Sequence, residues 1–378
     1  MPHIPAVRVV HIASGDLWAG AEVQLYTLAK ALHKNTDADV HVILMNHGTL
    51  EEKLIAERIP VTVFDESRLN AITIFFKILR ELKALRPTVV HTHRQKENIL
   101  GSIACLLANN IPSIRTAHGA PEHRLNWRQL AKRLIGLLDW LCGQFLQKKI
   151  IAVSEDLYDK LTQEFPARKI TIVPNGIDID ALAQYAKPDQ TTHTRKAFKV
   201  GLVGRLVPVK RVDLFIELAR RIRDAHPELA IRFHIYGDGP LLDDLTALTQ
   251  HYGLENTVHF EGHCSNIAEE MATLDALLIT SDHEGLPMTL LEAMAIGTPV
   301  VARSVGGITS ACHDGQCCWL TARDDAHALA QILIHCLNNH ETREQKRLRA
   351  EARVRDHYSA SGNAVAINQI YLDLAIIA

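Results

Sequence analysis

The sequence predicts an α/β chain made of two doubly wound parallel sheets, each covered by helices. Short apolar runs alternate with stretches of helical periodicity along the whole chain, the pattern of parallel strands connected by crossover helices. The runs fall into two sets, separated by a polar stretch near the middle. At 378 residues the chain exceeds one ordinary hydrophobic core, so two domains of roughly 150 to 200 residues are expected.

The first set of strand candidates is 7–12 (VRVVHI), 40–45 (VHVILM), 61–63 (VTV), 89–91 (VVH), 113–116 (SIRT) and 149–153 (KIIAV). The second is 199–203 (KVGLV), 231–236 (IRFHIY), 258–261 (VHFE), 276–280 (ALLIT) and 299–302 (PVVA). Between the sets, 183–196 (AQYAKPDQTTHTRK) is polar and lacks apolar periodicity, and it reads as a linker. The expected domains are therefore 1–182 and 197–360, with 361–378 forming a helix that packs back on the first. Ligands of open parallel sheets bind beyond the carboxyl ends of the strands, so two such domains are expected to share a cleft.

Hydrophobic residues make up 47% of the chain and charged residues 22%, as in a soluble globular protein. A net charge of −2 speaks against a general nucleic-acid binder, which would show a strongly basic domain. No segment reaches the roughly 18 apolar residues of a membrane span, and the opening MPHIPAVRVVHIAS reads as a first strand, so a cytoplasmic location is expected. The seven cysteines (Cys105, Cys142, Cys264, Cys312, Cys317, Cys318 and Cys336) are odd in number and irregular in spacing, which speaks against a disulfide framework. Cys312, His313, Cys317 and Cys318 cluster without a Cys-x-x-Cys pair, so no metal site is read there.

Residues 284–292, EGLPMTLLE, place a loop carboxylate, a Gly-Leu-Pro turn and a second carboxylate in succession. Glu292 sits in an otherwise apolar helix expected to be buried all round. An ionised carboxylate there needs a partner, or its pKa rises. An Arg or Lys across the core would serve, and so would a ribose diol. Pro287 suits the first helical position, and the backbone amides of Gly285, Leu286 and Met288 could face an anion at the positive end of the helix. The second domain opens with GRLVPVK, where Arg205 and Lys210 follow a strand on one loop. Two such cations can converge on a diphosphate, each contributing on the order of 4 kcal/mol at 4 Å and an effective dielectric near 20, before desolvation.

With Glu284 and Glu292 these residues resemble the retaining, nucleotide-sugar-dependent glycosyltransferases of family four (glycosyl transferases group 1), which have the GT-B fold of two Rossmann-like domains. Supporting motifs are Gly20-Ala21-Glu22, Thr116-Ala117-His118-Gly119, Ile151-Ala152-Val153-Ser154-Glu155, Val173-Pro174-Asn175-Gly176-Ile177-Asp178, Tyr236-Gly237-Asp238-Gly239-Pro240 and Val305-Gly306-Gly307-Ile308. The resemblance implies that Arg205 and Lys210 hold the diphosphate and stabilise the charge growing on it. It implies that Glu292 binds the ribose hydroxyls, that Glu284 with the following amides holds the donor sugar, and that His118 on the opposite, acceptor-side domain meets the sugar or its phosphate. Gly20 would let the first loop approach the ligand without a side chain, and Gly237 would shape a loop near the base. No cofactor and no metal are implied; the partners are a nucleotide sugar and a glycan or lipid-linked acceptor, as in cell-surface polysaccharide or lipopolysaccharide synthesis. Ala19-Gly20 where many members have two glycines, Ser310 in place of an acid and Cys318 in place of a glycine depart from the family pattern and leave acceptor choice open.

Other patterns have plainer readings. Asp178-Ile179-Asp180 follows an Asn-Gly turn rather than ending an apolar strand, so it is not read as a metal pair. His91 and His93 share a strand face and could chelate on paper, but no third ligand is apparent nearby in the sequence. From 126 to 145, Trp127, Leu130, Leu134, Leu137, Leu138, Leu141 and Phe145 recur at helical spacing beside Arg124, Arg128, Lys132, Arg133, Lys148 and Lys149. The first reading of such a basic amphipathic helix is packing on the first domain's sheet with a solvated basic edge; peripheral contact with an anionic membrane is the second. The expected activity is transfer of a hexose-type sugar with retention. The rivals are a sugar-nucleotide epimerase of the same architecture, which would turn over without acceptor, and a noncatalytic nucleotide-sugar-binding module.

Overall fold

A computed structural model describes residues 7–119, 130–186 and 197–377. The chain divides into two compact units, residues 1–176 with 360–378, and 177–359. Of the stretch expected to link two domains, 183–186 lie in the second unit and 187–196 fall outside the described residues.

The first unit contains β1 (Arg8–Ala13), β2 (Asp39–Leu44), β3 (Val61–Val63), β4 (Val89–Thr92), β5 (Ser113–Ala117), β6 (Lys149–Ala152) and β7 (Ile170–Ile172). They form one parallel sheet in the order β3-β2-β1-β4-β5-β6-β7. The order reverses between β1 and β4, as it must when crossovers run outward in both directions from a central strand. Runs such as Val9-Val10-His11-Ile12 are buried on both faces, which is why they read as continuous apolar stretches rather than alternating ones. One face carries Leu25, Leu28 and Leu32 of helix Gly20–Asn35 with Ile367, Tyr371 and Leu374 of the C-terminal helix Ala360–Ile377. The other carries Ile74, Ile78 and Leu82 of helix Ala71–Leu85.

The second unit contains β8 (Phe198–Val203), β9 (Ile231–Tyr236), β10 (Val258–Gly262), β11 (Ala276–Ile279), β12 (Val300–Arg303) and β13 (Trp319–Thr321), again parallel, in the order β10-β9-β8-β11-β12-β13. Its core joins Val200, Phe233, Leu278 and Val301 of the sheet to Phe215, Leu218 and Ile222 of helix Val212–Ala225. β7 and β13 were not among the strand candidates. Each has three residues and sits at a sheet edge, as does β3, which was among the candidates.

Three expectations need correction. Helix Met288–Ile296 is not buried all round: Thr289, Glu292 and Ala295, three residues apart, form a partly open stripe. Cys312 and Cys318 are paired as a disulfide closing the turn after Gly307–Ala311, a local bridge that irregular spacing argued against. Among the described residues of helix Leu130–Leu141 and the turn after it, Leu134, Ile135, Leu137, Leu138 and Phe145 are exposed, so this segment does not seat its apolar stripe on the sheet. Arg124, Trp127 and Arg128 lie outside the described residues. No helix among the described residues is long and apolar enough to cross a membrane.

Candidate active site

In the second unit, four adjacent strand ends converge. The loop after β8 carries Gly204 to Lys210, the loop after β9 carries Gly237, the loop after β11 carries Glu284, and the loop after β12 carries Gly306. The first two loops are stitched by backbone bonds, Gly204 N–H to Tyr236 O (3.0 Å) and Leu206 N–H to Asp238 O (2.9 Å). Gly237 has φ +140°, and a Cβ there would strike the Gly204 carbonyl oxygen; a Cβ on Gly239 would lie 2.6 Å from Leu206 O. Both glycines are therefore required by close backbone approach, which fixes the loop carrying Arg205. This extends the expectation for Gly237, which placed it near a base only.

Lys210 ends a short 3₁₀ turn, Pro208–Lys210, and its Nζ lies 2.5 Å from Glu284 Oε1. Ser281 donates its hydroxyl to the same oxygen at 2.7 Å, and Thr280 donates to the Lys210 carbonyl at 2.7 Å. Behind Glu284, Gly306 (φ +52°) packs so closely on the Glu284 carbonyl oxygen that no side chain fits, and Gly307 N–H donates to Gly285 O at 3.0 Å. Below this layer, Arg211 and the buried Arg303 share Asp282 and Asp324. Burial alone would raise the Asp282 pKa, but hydrogen bonds from Arg303 and Arg211 hold it below the ordinary range. Sequence reasoning missed Ser281, Arg211, Arg303 and Asp324: the ion pairs cross between loops, 21 positions apart for Arg303 to Asp282, 71 for Arg211 to Asp282 and 113 for Arg211 to Asp324, while Ser281, only three positions from Glu284, has no local pattern to mark it.

Arg205 is exposed, and no ion pair among the described residues engages it. Sequence reasoning gave Lys210 and Glu284 separate partners; the structure pairs them with each other, leaving Glu284 Oε2 as the carboxylate's second acceptor. Helix Met288–Ile296 begins after Pro287 without a side-chain cap, so its first amides, including that of Met288, keep their polarity for another acceptor. Gly285 and Leu286 are buried just before it. One turn further on, Glu292 is half-buried, and among the described residues neither a cation nor a hydrogen-bond donor reaches its carboxylate. Desolvation pushes its pKa up to about 7. Among the described residues, no core Arg or Lys takes the alternative role of partner to Glu292.

In the first unit, Gly20 begins the helix after β1 and His118 follows β5, with the end of β4 between them in the sheet. Gly20 is exposed, and a Cβ there would meet nothing within 4 Å, so the protein's own packing does not require glycine at this position. Glu22, in the first turn of that helix, is buried and paired with Arg94 at 2.5 Å; burial raises its pKa, and Arg94 partly offsets the rise. His118 is half-buried, its Nε2 is 3.3 Å from His93 Nδ1, and burial lowers its pKa to about 4. Its imidazole is neutral at neutral pH. His91 and His93 do have a third imidazole beside them. Strand pairing sets His11 opposite His91, and the three present nitrogens within 4.8 Å of one another. The sequence-based ground for dismissing this cluster was wrong, because the third residue lies 80 positions upstream on a neighbouring strand. Asp178, by contrast, caps helix Ile179–Ala183 by accepting from Ala181 N–H at 3.1 Å, a structural use.

Two family models tile the chain. The model described as Glycosyltransferase Family 4 matches residues 18–181, and the one described as Glycosyl transferases group 1 matches residues 184–355. The chain belongs to the family 4, group 1 glycosyltransferases. Among relatives of this glycosyltransferase, an Escherichia coli UDP-Gal:alpha-D-GlcNAc-diphosphoundecaprenol alpha-1,3-galactosyltransferase is 26% identical over 313 residues, covering 80% of each chain. A Mycobacterium tuberculosis glycogen synthase is 27% identical over 300 residues, covering 77% of this chain and 70% of its own. The structure of Anabaena HepE in complex with UDP and glucose superposes with a TM-score of 0.83 at 22% identity, covering 96% of this chain and 99% of that one. The glycosyltransferase thus has the GT-B fold.

Proposed function

We propose that this glycosyltransferase moves a hexose-type sugar from a uridine diphosphate donor to a hydroxyl of a lipid-linked or glycan acceptor, with retention of the anomeric configuration. The observation that carries the donor assignment is Glu292, a half-buried carboxylate with a pKa raised to about 7 and no partner among the described residues. A ribose diol offers two O–H donors to such a group. On neighbouring loops the open Arg205 and Lys210 suit the diphosphate, while Glu284 and the uncapped helix start suit the sugar hydroxyls. Uridine is chosen because the E. coli relative is named for UDP-Gal and the HepE structure holds UDP. Two cations placed before the reaction can stabilise the departing diphosphate, so we assign no divalent ion to the reaction. His118 is assigned to the transferred sugar or its phosphate.

The test is thermal stability against UDP, GDP and ADP, followed by the anomeric signal of the product by proton NMR. A ligand at about 100 times its Kd stabilises by about 2.7 kcal/mol. No response to UDP would overturn the donor assignment, an inverted product would overturn retention, and turnover of donor to a new sugar nucleotide without acceptor would favour an epimerase.

A lipid-linked acceptor is favoured by the exposed apolar side chains Leu134, Leu137, Leu138 and Phe145 beside Lys132, Arg133 and Lys148. An apolar stripe edged by cations suits the headgroup boundary of an anionic bilayer. Flotation with phosphatidylglycerol vesicles at low and high salt tests this; protein left at the bottom at both would end the membrane reading.

A further inference from the structure

A file of imidazoles runs from His118 into the interior of the first unit. His118 Nε2 lies 3.3 Å from His93 Nδ1, and His93 Nε2 lies 3.0 Å from His11 Nδ1. At the inner end, His11 Nε2 is buried with no hydrogen-bond partner. At the outer end, no hydrogen bond among the described residues engages His118 Nδ1, and it is not among the buried unpartnered atoms. His91 flanks the file, its ring 4.5 Å from His93 and 5.0 Å from His11, with Nδ1 and Nε2 taken by the hydroxyls of Tyr371 and Thr116 at 2.7 Å each.

Burial lowers the pKa of every member, to about 3 for His11, about 4 for His118 and well below the ordinary value for His91 and His93. The rings are therefore neutral, and each carries one N–H and one lone pair. Each contact needs one of each, so hydrogens in the file must all point the same way. If they point inward, His118 donates to His93, His93 donates to His11, and a His11 N–H is stranded in the interior. If they point outward, the stranded atom is a bare lone pair, and His118 must carry its hydrogen on Nδ1. Stranded buried N–H groups are the rarer defect.

We propose that His11 and His93 are positioning residues that hold His118 in the Nδ1–H tautomer, so that it presents a fixed N–H donor to an oxygen of the transferred sugar or its phosphate. The role of that donor rests on the assignment of His118 to the donor substrate; the tautomer does not. A chelated divalent cation is the competing use of the same cluster. It is disfavoured because both His91 nitrogens are engaged, the rings of His11 and His93 and of His93 and His118 lie within 25° of parallel with nitrogen facing nitrogen, and among the described residues no carboxylate acts on His11, His91 or His118. Among the described residues, the charged side chain acting on His118 is the Arg94 guanidinium, which would oppose a second positive charge.

The experiment is a two-bond proton–nitrogen correlation spectrum of the full chain labelled with ¹⁵N-histidine, at pH 7.5. Wild-type protein should show His118 as Nδ1–H. In His93→Phe the signal should revert to Nε2–H, the form that free neutral imidazole favours in water, with kcat lowered about tenfold. His93→Gln, whose amide both accepts and donates, should restore Nδ1–H and most of kcat. An Nε2–H signal for His118 in the wild type overturns the proposal even if neither variant folds. So does an unchanged tautomer in His93→Phe, or a stoichiometric transition metal whose chelation shifts the His11, His91 and His93 signals. A wild-type Nδ1–H signal in a protein that binds no sugar nucleotide would support the file and sink the donor assignment separately.

Discussion

Glu292→Gln is expected to stabilise the protein and weaken donor binding together, with a pH dependence that identifies the cause. The carboxyl titrates at about 7 in the fold against an ordinary value of 4.5. At roughly 1.36 kcal/mol per pKa unit this gap corresponds to about 3 kcal/mol, an upper figure because Glu292 keeps part of its surface in water. Below pH 4.5 the group is protonated in folded and unfolded chains alike and has no effect. As pH rises from 4.5 to 7 the unfolded chain ionises first, so the folded chain holds the extra proton and stability falls; above 7 the full penalty remains. Glutamine never ionises. In urea unfolding, the variant's advantage should grow from about 1 kcal/mol at pH 5.5 to about 3 kcal/mol at pH 8. Glu97, also raised to about 7 by burial, has the same sign in both proteins and cancels in the difference.

Binding should show the converse. A diol donating to the carboxylate favours its ionised form, so UDP binding at pH 6 should release more protons from wild-type protein than from the variant, where only the diphosphate itself releases any. Calorimetry in two buffers of different ionisation enthalpy reads that difference. A stability difference that is flat with pH, or equal proton release by both proteins, would refute the assignment of Glu292 to the ribose.

Lys210→Ala should lower kcat by about 10²- to 10³-fold, the usual loss of one preorganised charge at a developing anion, and unfolding free energy by only about 1–2 kcal/mol as Glu284 loses its ion pair; an unchanged kcat would remove Lys210 from the mechanism. Gly306→Ala places a side chain on the Glu284 carbonyl oxygen at φ +52°, so it should cost more than about 2 kcal/mol and raise the donor KM, read by urea unfolding and initial rates. Initial rates with 5 mM EDTA, an arbitrary excess of roughly that order, should match untreated enzyme if Arg205 and Lys210 supply the charge a metal would otherwise provide; a tenfold fall would overturn that.

Much of the sheet architecture was legible because buried parallel strands leave continuous apolar runs. Val40–Leu44 and Ala276–Ile279 cannot be anything else at that length, since both faces are covered. At the edges, where a three-residue strand buries little, the reading was uneven: β3 was found, β7 and β13 were not. The basic helix was ambiguous for a different reason. Leu134, Leu137 and Leu138 fit a core-facing stripe and a membrane-facing one equally well in sequence, and their exposure removes the first.

The candidate site was legible where chemistry sits on one loop and illegible where it depends on register. Arg205 and Lys210 are five positions apart, and Glu284 and Glu292 eight, so local spacing alone grouped them. That Lys210 would meet Glu284 required β8 and β11 to be neighbours, and that His11 would complete a file with His93 required β1 and β4 to pair in register, His11 opposite His91. Parallel pairing always brings together residues distant in sequence, because a crossover must intervene. The groups hidden from sequence reading in this fold are therefore those that face one another across strand ends: Lys210 on Glu284, Arg303 on Asp282, and His11 beneath His93. Each makes a second residue's state depend on it, which is why variants at such positions should be judged by what their partner does, as His93→Phe is judged by the hydrogen on His118.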